Sequence, residues 1–242
     1  MNLIIDVGNS YIKLSVFKDN TLIYKSSDKH SRFISSFKKV IKTYPKIDRA
    51  IISSVGRLNK TQINRIKEVD NVLELNANTK VPFNNNYGTP KTLGVDRIAL
   101  VSSAAVQYPN KNVLIIDAGS CITYDFLDDK NQYLGGAISP GIRMRYRSLN
   151  TFTANLPLLD TKLPENIIGD STKASIHSGV LYGINKEIDG VIDEYRQKYP
   201  DLTVILTGGD AKLLSNKLKN SIFANSNFLL EGLNFILDYN SK

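Results

Sequence analysis

Two similar segments decide the fold of this chain: "LIIDVGNSYIKLSVF" at residues 3–17 and "LIIDAGSCITYDFL" at residues 114–127. Each begins with an apolar stretch that ends in an aspartate, passes through a glycine turn and enters a second stretch of alternating apolar residues. The two aspartates, Asp6 and Asp117, stand 111 residues apart. A carboxylate at the end of an apolar strand is a poor choice for stability alone, so the repeat indicates function.

The sequence around each segment predicts a similar order of elements. The first half predicts strands at 3–5, 12–17, 22–24, 50–55 and 72–75, and helices within 30–45, 60–69 and 95–107. The second half predicts strands at 112–116, 122–127, 133–138 and 202–207, and helices from 142 and within 171–199, 211–219 and 228–239. The pattern therefore indicates an α/β protein of two related domains, residues 1–110 and 111–242.

Composition narrows the class of protein. The chain has 242 residues and one cysteine, Cys121, which excludes an internal disulfide framework and fits a reducing cytosol. No apolar run approaches the roughly 20 residues of a membrane helix, and no secretory signal opens the sequence. We therefore expect a soluble cytoplasmic protein. The net charge of +8 suits an anionic small substrate or nucleic acid, but scattered lysines favour ordinary solvated faces.

The first repeated turn has the chemistry of a phosphate loop. Gly8 allows a tight turn, and the backbone N–H groups with the Asn9 and Ser10 side chains can face one concavity. Asp6 can hold Mg²⁺ directly or through water, and the Lys13 ammonium on the next strand can reach the phosphates. An ordinary hairpin with Asn/Gly turn chemistry would explain this copy alone equally well.

Two further turns favour the phosphate interpretation. Asp117-Ala118-Gly119-Ser120 repeats the acidic turn, and two such turns can hold a triphosphate from two sides. "VILTGGDAKLL" at 204–214 places Gly208 and Gly209 between a strand and a helix, where glycines allow a ring or sugar to approach the backbone.

Five motifs carry a resemblance to known proteins: "DVGNSYIK" at 6–13, "GVDR" at 94–97, "DAGSCITYD" at 117–125, "GGAISPG" at 135–141 and "TGGD" at 207–210. They resemble the superfamily of acetate and sugar kinases and actin-like ATPases, and within it the type III pantothenate kinases. They span almost the whole chain in the family's order. The resemblance implies two ribonuclease-H-like domains and ATP-dependent phosphorylation of the primary hydroxyl of pantothenate to 4'-phosphopantothenate, the first step of coenzyme A biosynthesis.

The resemblance also implies roles for individual residues. Asp96 matches the proton acceptor, Asp117 a ligand of a monovalent cation (K⁺ or NH₄⁺), and Asp6 is a candidate Mg²⁺ ligand. The ATP-binding residues would be Asp6, Val7, Gly8, Asn9, Ser10, Tyr11, Ile12, Lys13, Ser120, Gly208 and Gly209. The pantothenate-binding residues would be Tyr87, Gly94, Val95, Asp96, Arg97 and Thr172. A homodimer is implied as well, with no nucleic-acid or membrane partner.

Some residues depart from the family pattern or have a simpler interpretation. Ser10 and Ser120 stand where threonines are usual, and Cys121 replaces an alanine; serine keeps the hydroxyl at both threonine positions. Capping of a helix N-terminus would also explain Asp96 and Thr172, and a surface ion pair would explain Arg97.

Several other residues receive structural interpretations. Both histidines, His30 and His177, lack catalytic partners and metal-ligand spacing. Cys121 is expected to be small and buried, and the three arginines between 143 and 147 are expected on a solvated face. The apolar stripe within 176–188 is expected in the core, with a dimer interface as the alternative.

Three other functions remain open at this point. The chain could be a related kinase acting on another small hydroxy substrate, or a non-enzymatic actin-like ATP-binding module. A ribonuclease-H-type enzyme fits least, because that chemistry needs several carboxylates around two metal ions.

Overall fold

The computed structural model describes residues 1–9, 11–56 and 58–241. The chain divides into two compact units. The first contains Met1–Pro109, Asn131–Tyr133 and the residues from Asn227 onward, and the second contains Asn110–Lys130 and Leu134–Ser226. The sequence prediction placed the residues after 226 in the second domain, whereas the structure groups them with the first unit. Within the described ranges, no helix is both long enough and apolar enough to cross a membrane.

The first unit is built on a mixed sheet. Its strands are β1 (Asn2–Val7), β2 (Tyr11–Lys18), β3 (Thr21–Lys29), β4 (Arg49–Ser54) and β5 (Asn71–Glu74), in the order β3-β2-β1-β4-β5. The pairs β1–β2 and β2–β3 are antiparallel, and β1–β4 and β4–β5 are parallel. A short strand, β6 (Asn84–Asn85), pairs with Gln132 and Tyr133.

The helices of this unit bury both faces of β1. They are α1 (Phe33–Thr43), α2 (Lys60–Ile66), α3 (Val95–Gln107) and the last helix of the chain, α7 (Phe228–Tyr239). Leu3, Ile5 and Val7 of β1 share a core with apolar residues of α1 and α2. On the opposite face, the Asn2 Nδ2 group donates to Asn234 Oδ1 of α7 at 2.8 Å. Because side chains alternate along a strand, Asp6 lies on the same face as Asn2.

The last helix belongs to the first unit because it packs closely against α3. A Cβ atom on Gly232 would overlap the carbonyl oxygen of Ala99, so only glycine allows this approach of the two helix backbones. Leu229, Leu230 and Leu233 of α7 are buried. The apolar periodicity predicts that this segment is a helix, but it does not predict which sheet the helix packs on. The sequence prediction therefore assigned the helix to the domain that precedes it in the chain.

The second unit repeats the topology of the first. Its strands are β7 (Val113–Ala118), β8 (Cys121–Leu127), β9 (Gln132–Pro140), β10 (Thr203–Thr207) and β11 (Phe223–Ala224), and they follow the order β9-β8-β7-β10-β11. The pair β7–β8 is antiparallel, whereas β7–β10 and β10–β11 are parallel. The same strand order in both units confirms the predicted α/β fold with two mixed sheets and flanking helices.

The helices of the second unit are α4 (Ile142–Thr151), α5 (Thr172–Lys198) and α6 (Ala211–Ser215). The predicted stripe of Ile176, Val180, Ile184 and Ile188 lies in the core, as expected. Helix α6 ends at Ser215, although the sequence predicted helix to 219. The Lys219 and Asn220 backbone N–H groups donate to the buried carboxylate of Asp189 on α5 and not to a preceding helical turn.

Candidate active site

The first repeated turn joins β1 to β2 and brings Asp6 opposite Lys13. In the strand register Asp6 pairs with Lys13 and Val7 with Ile12, and the Lys13 Nζ atom lies 3.0 Å from Asp6 Oδ2. Asp6 is only 6% exposed, whereas Lys13 is partly exposed. The ion pair therefore supplies the partner that a buried carboxylate needs, and it places a cation at the edge of the turn.

The turn has a hydrogen-bonded base above buried residues. The Gly8 N–H group donates to the Tyr11 carbonyl at 3.0 Å, and Val7 and Ile12 are buried below it. Asn9 and Tyr11 are exposed. Ser10, which the sequence predicted as a phosphate contact, lies outside the described residues.

Asp96 stands in the first turn of α3 and interacts electrostatically with Asp6. Burial raises the pKa of the Asp96 carboxyl, and the negative charge of Asp6 raises it further. The backbone N–H of Arg97 donates to Asp96 Oδ1 at 2.9 Å and opposes this shift. The structure thus brings together two of the predicted carboxylates in the first unit.

The "GVDR" motif has a steric reason for its glycine. A Cβ atom at Gly94 would lie 2.5 Å from Asp96 Oδ1, so a larger residue would displace the carboxylate. Gly94 precedes α3 as its N-cap residue without a side-chain hydrogen bond, and Val95 is the first helical residue. Gly94 therefore leaves space for the Asp96 carboxylate at the start of the helix.

Arg97 is buried rather than part of a surface ion pair. Its side chain is only 5% exposed, and its guanidinium carbon lies 5.5 Å from the centre of the Tyr87 ring. Tyr87 in turn stacks on Tyr133, with ring centres 5.9 Å apart. A buried guanidinium that lies over an aromatic ring is restrained by it, and a guanidinium can bind a carboxylate in bidentate fashion.

In the second unit, Asp117 and Gly208 meet at the ends of neighbouring strands. Asp117 on β7 pairs in register with Thr207 on β10, and Gly208 follows with a φ of +97°. A Cβ atom at Gly208 would overlap Asp117 Oδ1 and the Ala118 carbonyl oxygen. Gly209 has open space around it, and the Asp210 N–H donates to the Ala118 carbonyl at 2.9 Å.

The second acidic turn is also held by a glycine from another segment. The Gly141 N–H donates to the Ser120 carbonyl at 3.2 Å, and a Cβ atom on Gly141 would lie 2.5 Å from that oxygen. The side chain of Ser120 is exposed. Cys121 is partly exposed, so the expectation of a buried cysteine was wrong.

Thr172 is the first residue of α5, but it is not the residue that caps the helix. Ser171 is the N-cap, and its hydroxyl accepts the Ala174 N–H at 3.3 Å. Thr172 is exposed and lines a groove of about 1020 Å³ with apolar residues of α4 and α5. Its hydroxyl is therefore not required for capping.

Arg145 lines the same groove and is not on a solvated face, contrary to the sequence interpretation. Its guanidinium binds Glu187, donates to the Ser139 hydroxyl at 3.0 Å and donates through Nε to the Pro140 carbonyl at 2.8 Å. Burial raises the pKa of Glu187, but hydrogen bonds from Arg145 and Ser139 outweigh it, so the pKa is lowered overall. This ion pair ties α4, α5 and the end of β9 together.

Two further residues of the first unit, which the sequence interpretation did not assign to the site, contact the first repeated turn (the turn between β1 and β2, the candidate phosphate turn). The His30 Nε2 atom lies 2.9 Å from the Gly8 carbonyl oxygen, and a Cβ atom at Gly56 would lie 2.6 Å from the same oxygen. A glycine directly after the predicted strand at 50–55 was the available signal for Gly56. No local pattern links His30 to Gly8, because the contact depends on how β3 ends.

Comparison with solved structures defines the fold. A conserved Baf family protein from Campylobacter jejuni matches with a TM-score of 0.65 at 22% identity, covering 98% of both chains. A glucokinase from an Antarctic psychrotroph matches with a TM-score of 0.52 at 13% identity, covering 99% of both chains. The fold is therefore that of the sugar kinases and actin-like ATPases, and its repeated acidic turns lie at the strand ends.

Comparison of sequences identifies the family. Residues 2–194 match the family described as type III pantothenate kinase. A type III pantothenate kinase from Christiangramia forsetii is 53% identical over 99% of both chains, and one from Phocaeicola vulgatus is 44% identical over the full length of both. The chain belongs to the type III pantothenate kinase family.

Proposed function

We propose that this protein transfers the γ-phosphoryl group of ATP to the primary hydroxyl of pantothenate, giving 4'-phosphopantothenate at the start of coenzyme A biosynthesis. The observation that supports this most directly is the placement of Asp96 at the N-terminus of α3, electrostatically coupled to Asp6 beside the phosphate turn. A base next to a nucleotide loop is what hydroxyl phosphorylation requires.

The proposed step uses Asp96 to accept the hydroxyl proton. The pantothenate oxygen attacks the γ-phosphorus, the bond from that phosphorus to the β,γ-bridging oxygen breaks, and ADP leaves with the bond electrons. Proton acceptance is secondary to positioning and charge neutralisation in such reactions. Lys13, beside Asp6, contributes one of the positive charges.

We assign pantothenate binding to Tyr87, Gly94, Val95, Arg97 and Thr172. The Arg97 guanidinium, oriented by the Tyr87 ring, would bind the substrate carboxylate in bidentate fashion. Gly94 and Val95 would approach the substrate through their backbone at the start of α3. Thr172 has an exposed hydroxyl that capping does not use.

We assign nucleotide binding to residues 6–13, Ser120, Gly208 and Gly209. Asp6 offers carboxylate oxygens, the ligand type that Mg²⁺ prefers, and Mg²⁺ would compensate phosphate charge there. Gly209 has open space where a side chain would otherwise stand, which fits approach of the nucleoside to the backbone.

We further propose that K⁺ or NH₄⁺ binds at Asp117. The Asp117 carboxylate and the Ala118 carbonyl both border the space that a Cβ atom of Gly208 would fill. Both are hard oxygen donors, the ligand type that suits such a cation, and the absence of a side chain at Gly208 leaves the two oxygens uncovered by a Cβ atom. The cation would offset phosphate charge.

We propose a cytoplasmic homodimer, in line with the family resemblance. Large apolar side chains are exposed in the segment after α4, among them Phe152 at 84%, Ile167 at 64% and Ile168 at 83%. Clustered exposed apolar residues are typical of interaction surfaces. Sedimentation of the protein and of Phe152→Ser/Ile168→Ser tests this: a dimer that the variant weakens supports the interface, and a monomeric parent protein contradicts it.

A coupled ADP-release assay tests the function. Purified protein, Mg²⁺ and ATP are combined with or without pantothenate, in K⁺ and in a buffer free of K⁺ and NH₄⁺. We expect release that requires both pantothenate and the monovalent cation. Release without pantothenate would favour an ATPase module, and absence of release with retained ATP binding would favour another hydroxy substrate.

A further inference from the structure

The carbonyl group of Gly8 in the phosphate turn is enclosed by residues from two other elements. His30, in the short 3-10 turn His30–Arg32 after β3, places Nε2 at 2.9 Å from the Gly8 carbonyl oxygen. A carbonyl oxygen only accepts hydrogen bonds, so Nε2 carries the proton in this contact. Gly56 approaches the same oxygen so closely that a Cβ atom there would lie 2.6 Å away.

This contact also fixes the orientation of the next N–H group. The peptide that joins Gly8 to Asn9 is trans, and in a trans peptide the C=O and N–H groups point in opposite directions. With its carbonyl directed at His30, the peptide directs the Asn9 N–H away from His30 and Gly56. Asn9 is exposed, so an anion can reach this residue.

The neighbouring peptide is fixed as well. The Val7 carbonyl accepts the Val55 N–H at 3.1 Å and the Gly56 N–H at 3.0 Å. The turn after β4 therefore fixes the Val7 carbonyl at the end of β1, and His30 fixes the Gly8 carbonyl that follows. Two consecutive carbonyl groups of the turn are both directed into the protein.

The backbone of His30 is anchored in turn by α2. Its own carbonyl accepts the Gln62 side-chain amide at 3.1 Å. Gln62 is buried and belongs to a capping box with Asn59, so its position is set by the start of the helix. The imidazole thus extends from a rigid support.

We propose that His30 is a positioning residue for the nucleotide: it orients the Gly8–Asn9 peptide so that the Asn9 N–H is available to a phosphate oxygen. This rests on the proposed assignment of residues 6–13 to ATP binding. A backbone N–H that is already oriented binds an anion without further ordering of the turn, which increases affinity.

Two substitutions separate the hydrogen bond from the shape of the ring. His30→Phe keeps a flat ring without the donor, and His30→Gln keeps an N–H donor at a similar reach. We expect His30→Phe to weaken binding of a non-hydrolysable ATP analogue about fivefold to tenfold, the effect of one lost hydrogen bond. We expect His30→Gln to bind it within about twofold of the parent protein.

Calorimetry with the ATP analogue, and competition with adenosine, provide the readout. Adenosine carries no phosphate, so its binding and the KM for pantothenate should not change in either variant. Ser31→Ala, an exposed neighbour in the same 3-10 turn, is the matched control and should behave as the parent protein. Thermal unfolding of each variant reports whether the fold is kept.

The outcomes separate this proposal from the assignment of the phosphate turn. If Lys13→Ala and Gly8→Val weaken ATP binding but His30→Phe does not, the role of His30 is overturned. Equal losses in His30→Phe and His30→Gln, or parallel loss of adenosine binding, would also overturn it in favour of a packing role. If Lys13→Ala and Gly8→Val leave ATP binding unchanged, the turn is not the nucleotide site.

Discussion

The carboxylate of Asp96 lies in an environment that opposes its ionisation. Burial and the charge of Asp6 raise its pKa, while the Arg97 N–H counteracts the shift. A base with a raised pKa accepts a proton more readily than an ordinary aspartate does, which suits the proposed role. The cost is that the ionised form is less stable in the folded protein.

Replacement of Asp96 by asparagine tests its role as the base. The amide keeps the shape and can still accept the Arg97 N–H through its oxygen, but it cannot accept the substrate proton. We expect kcat to fall by roughly 10²-fold or more, with ATP binding nearly unchanged. Asp70→Asn, an exposed residue of the same unit, is the control. Equal loss of turnover and ATP binding would indicate a structural role.

The raised pKa of Asp96 predicts opposite effects of pH on activity and stability. Activity needs the ionised form, so kcat/KM should fall with decreasing pH through a pKa above the ordinary value of about 3.9. A group whose pKa is raised by folding contributes stability at low pH and loses that contribution as pH rises through its folded pKa. At neutral pH Asp96→Asn should therefore be more stable than the parent protein. Urea unfolding at several pH values measures this; a stability difference independent of pH would contradict it.

At the scale of elements, the two acidic turns share a framework and differ in chemistry. Four residues lie between the paired positions Val7 and Ile12, but only three lie between Ala118 and Ile122. Asp6 therefore has a lysine opposite it, whereas Asp117 has Thr123. The residue paired opposite the aspartate is thus a lysine in the first turn and a neutral threonine in the second.

The glycine pair after β10 offers a matched test of this second turn. Gly208→Ala should lower the free energy of unfolding by at least about 1–2 kcal/mol, because φ is +97° and the Cβ atom would meet Asp117 and Ala118. Gly209→Ala, one residue later, has open space and should change stability little. Chemical denaturation compares them, and similar losses in both would contradict the steric argument.

Periodicity predicted the elements well because most of them have one apolar face. The helices at 95–107 and 228–239 were predicted with the bounds that the structure has. The Lys219 N–H beyond α6 donates to the distant carboxylate of Asp189, and β6 and β11 are pairs of residues without a pattern of their own. The motifs located the candidate residues, but the contact of His30 with Gly8 and the burial of Arg97 depend on tertiary packing.

At the scale of the whole molecule, the first unit is discontinuous in sequence. The chain leaves it after Pro109 and returns at Asn227, and the returning helix α7 packs on α3 through Gly232. The second unit is contiguous apart from Asn131–Tyr133. The stability of the first unit therefore depends on residues at both ends of the sequence.

Two glycine-to-alanine substitutions, one in a helix of each unit, test whether each unit can be destabilised or stabilised on its own. Gly232→Ala forces α7 away from α3 and should destabilise the first unit, with faster hydrogen exchange in β1 and α3 but not in β7 or β10. Gly190→Ala on the exposed side of α5 meets no atom and should stabilise its helix by about 0.5–1 kcal/mol. Uniform loss of protection in both units by Gly232→Ala would contradict the assignment of α7.

The return of α7 has a consequence for biosynthesis. On the ribosome, β1 to β5 emerge early, but the helix that covers the Asn2–Asp6 face of their sheet is translated only after the entire second unit. At roughly 5–20 residues per second, translation from the end of β5 to the end of α7 takes about 8–33 seconds, and that face of the nascent sheet is incompletely covered during this time. Premature termination within the last helix would leave the second unit able to fold and the earliest-made unit a substrate for chaperones and proteases.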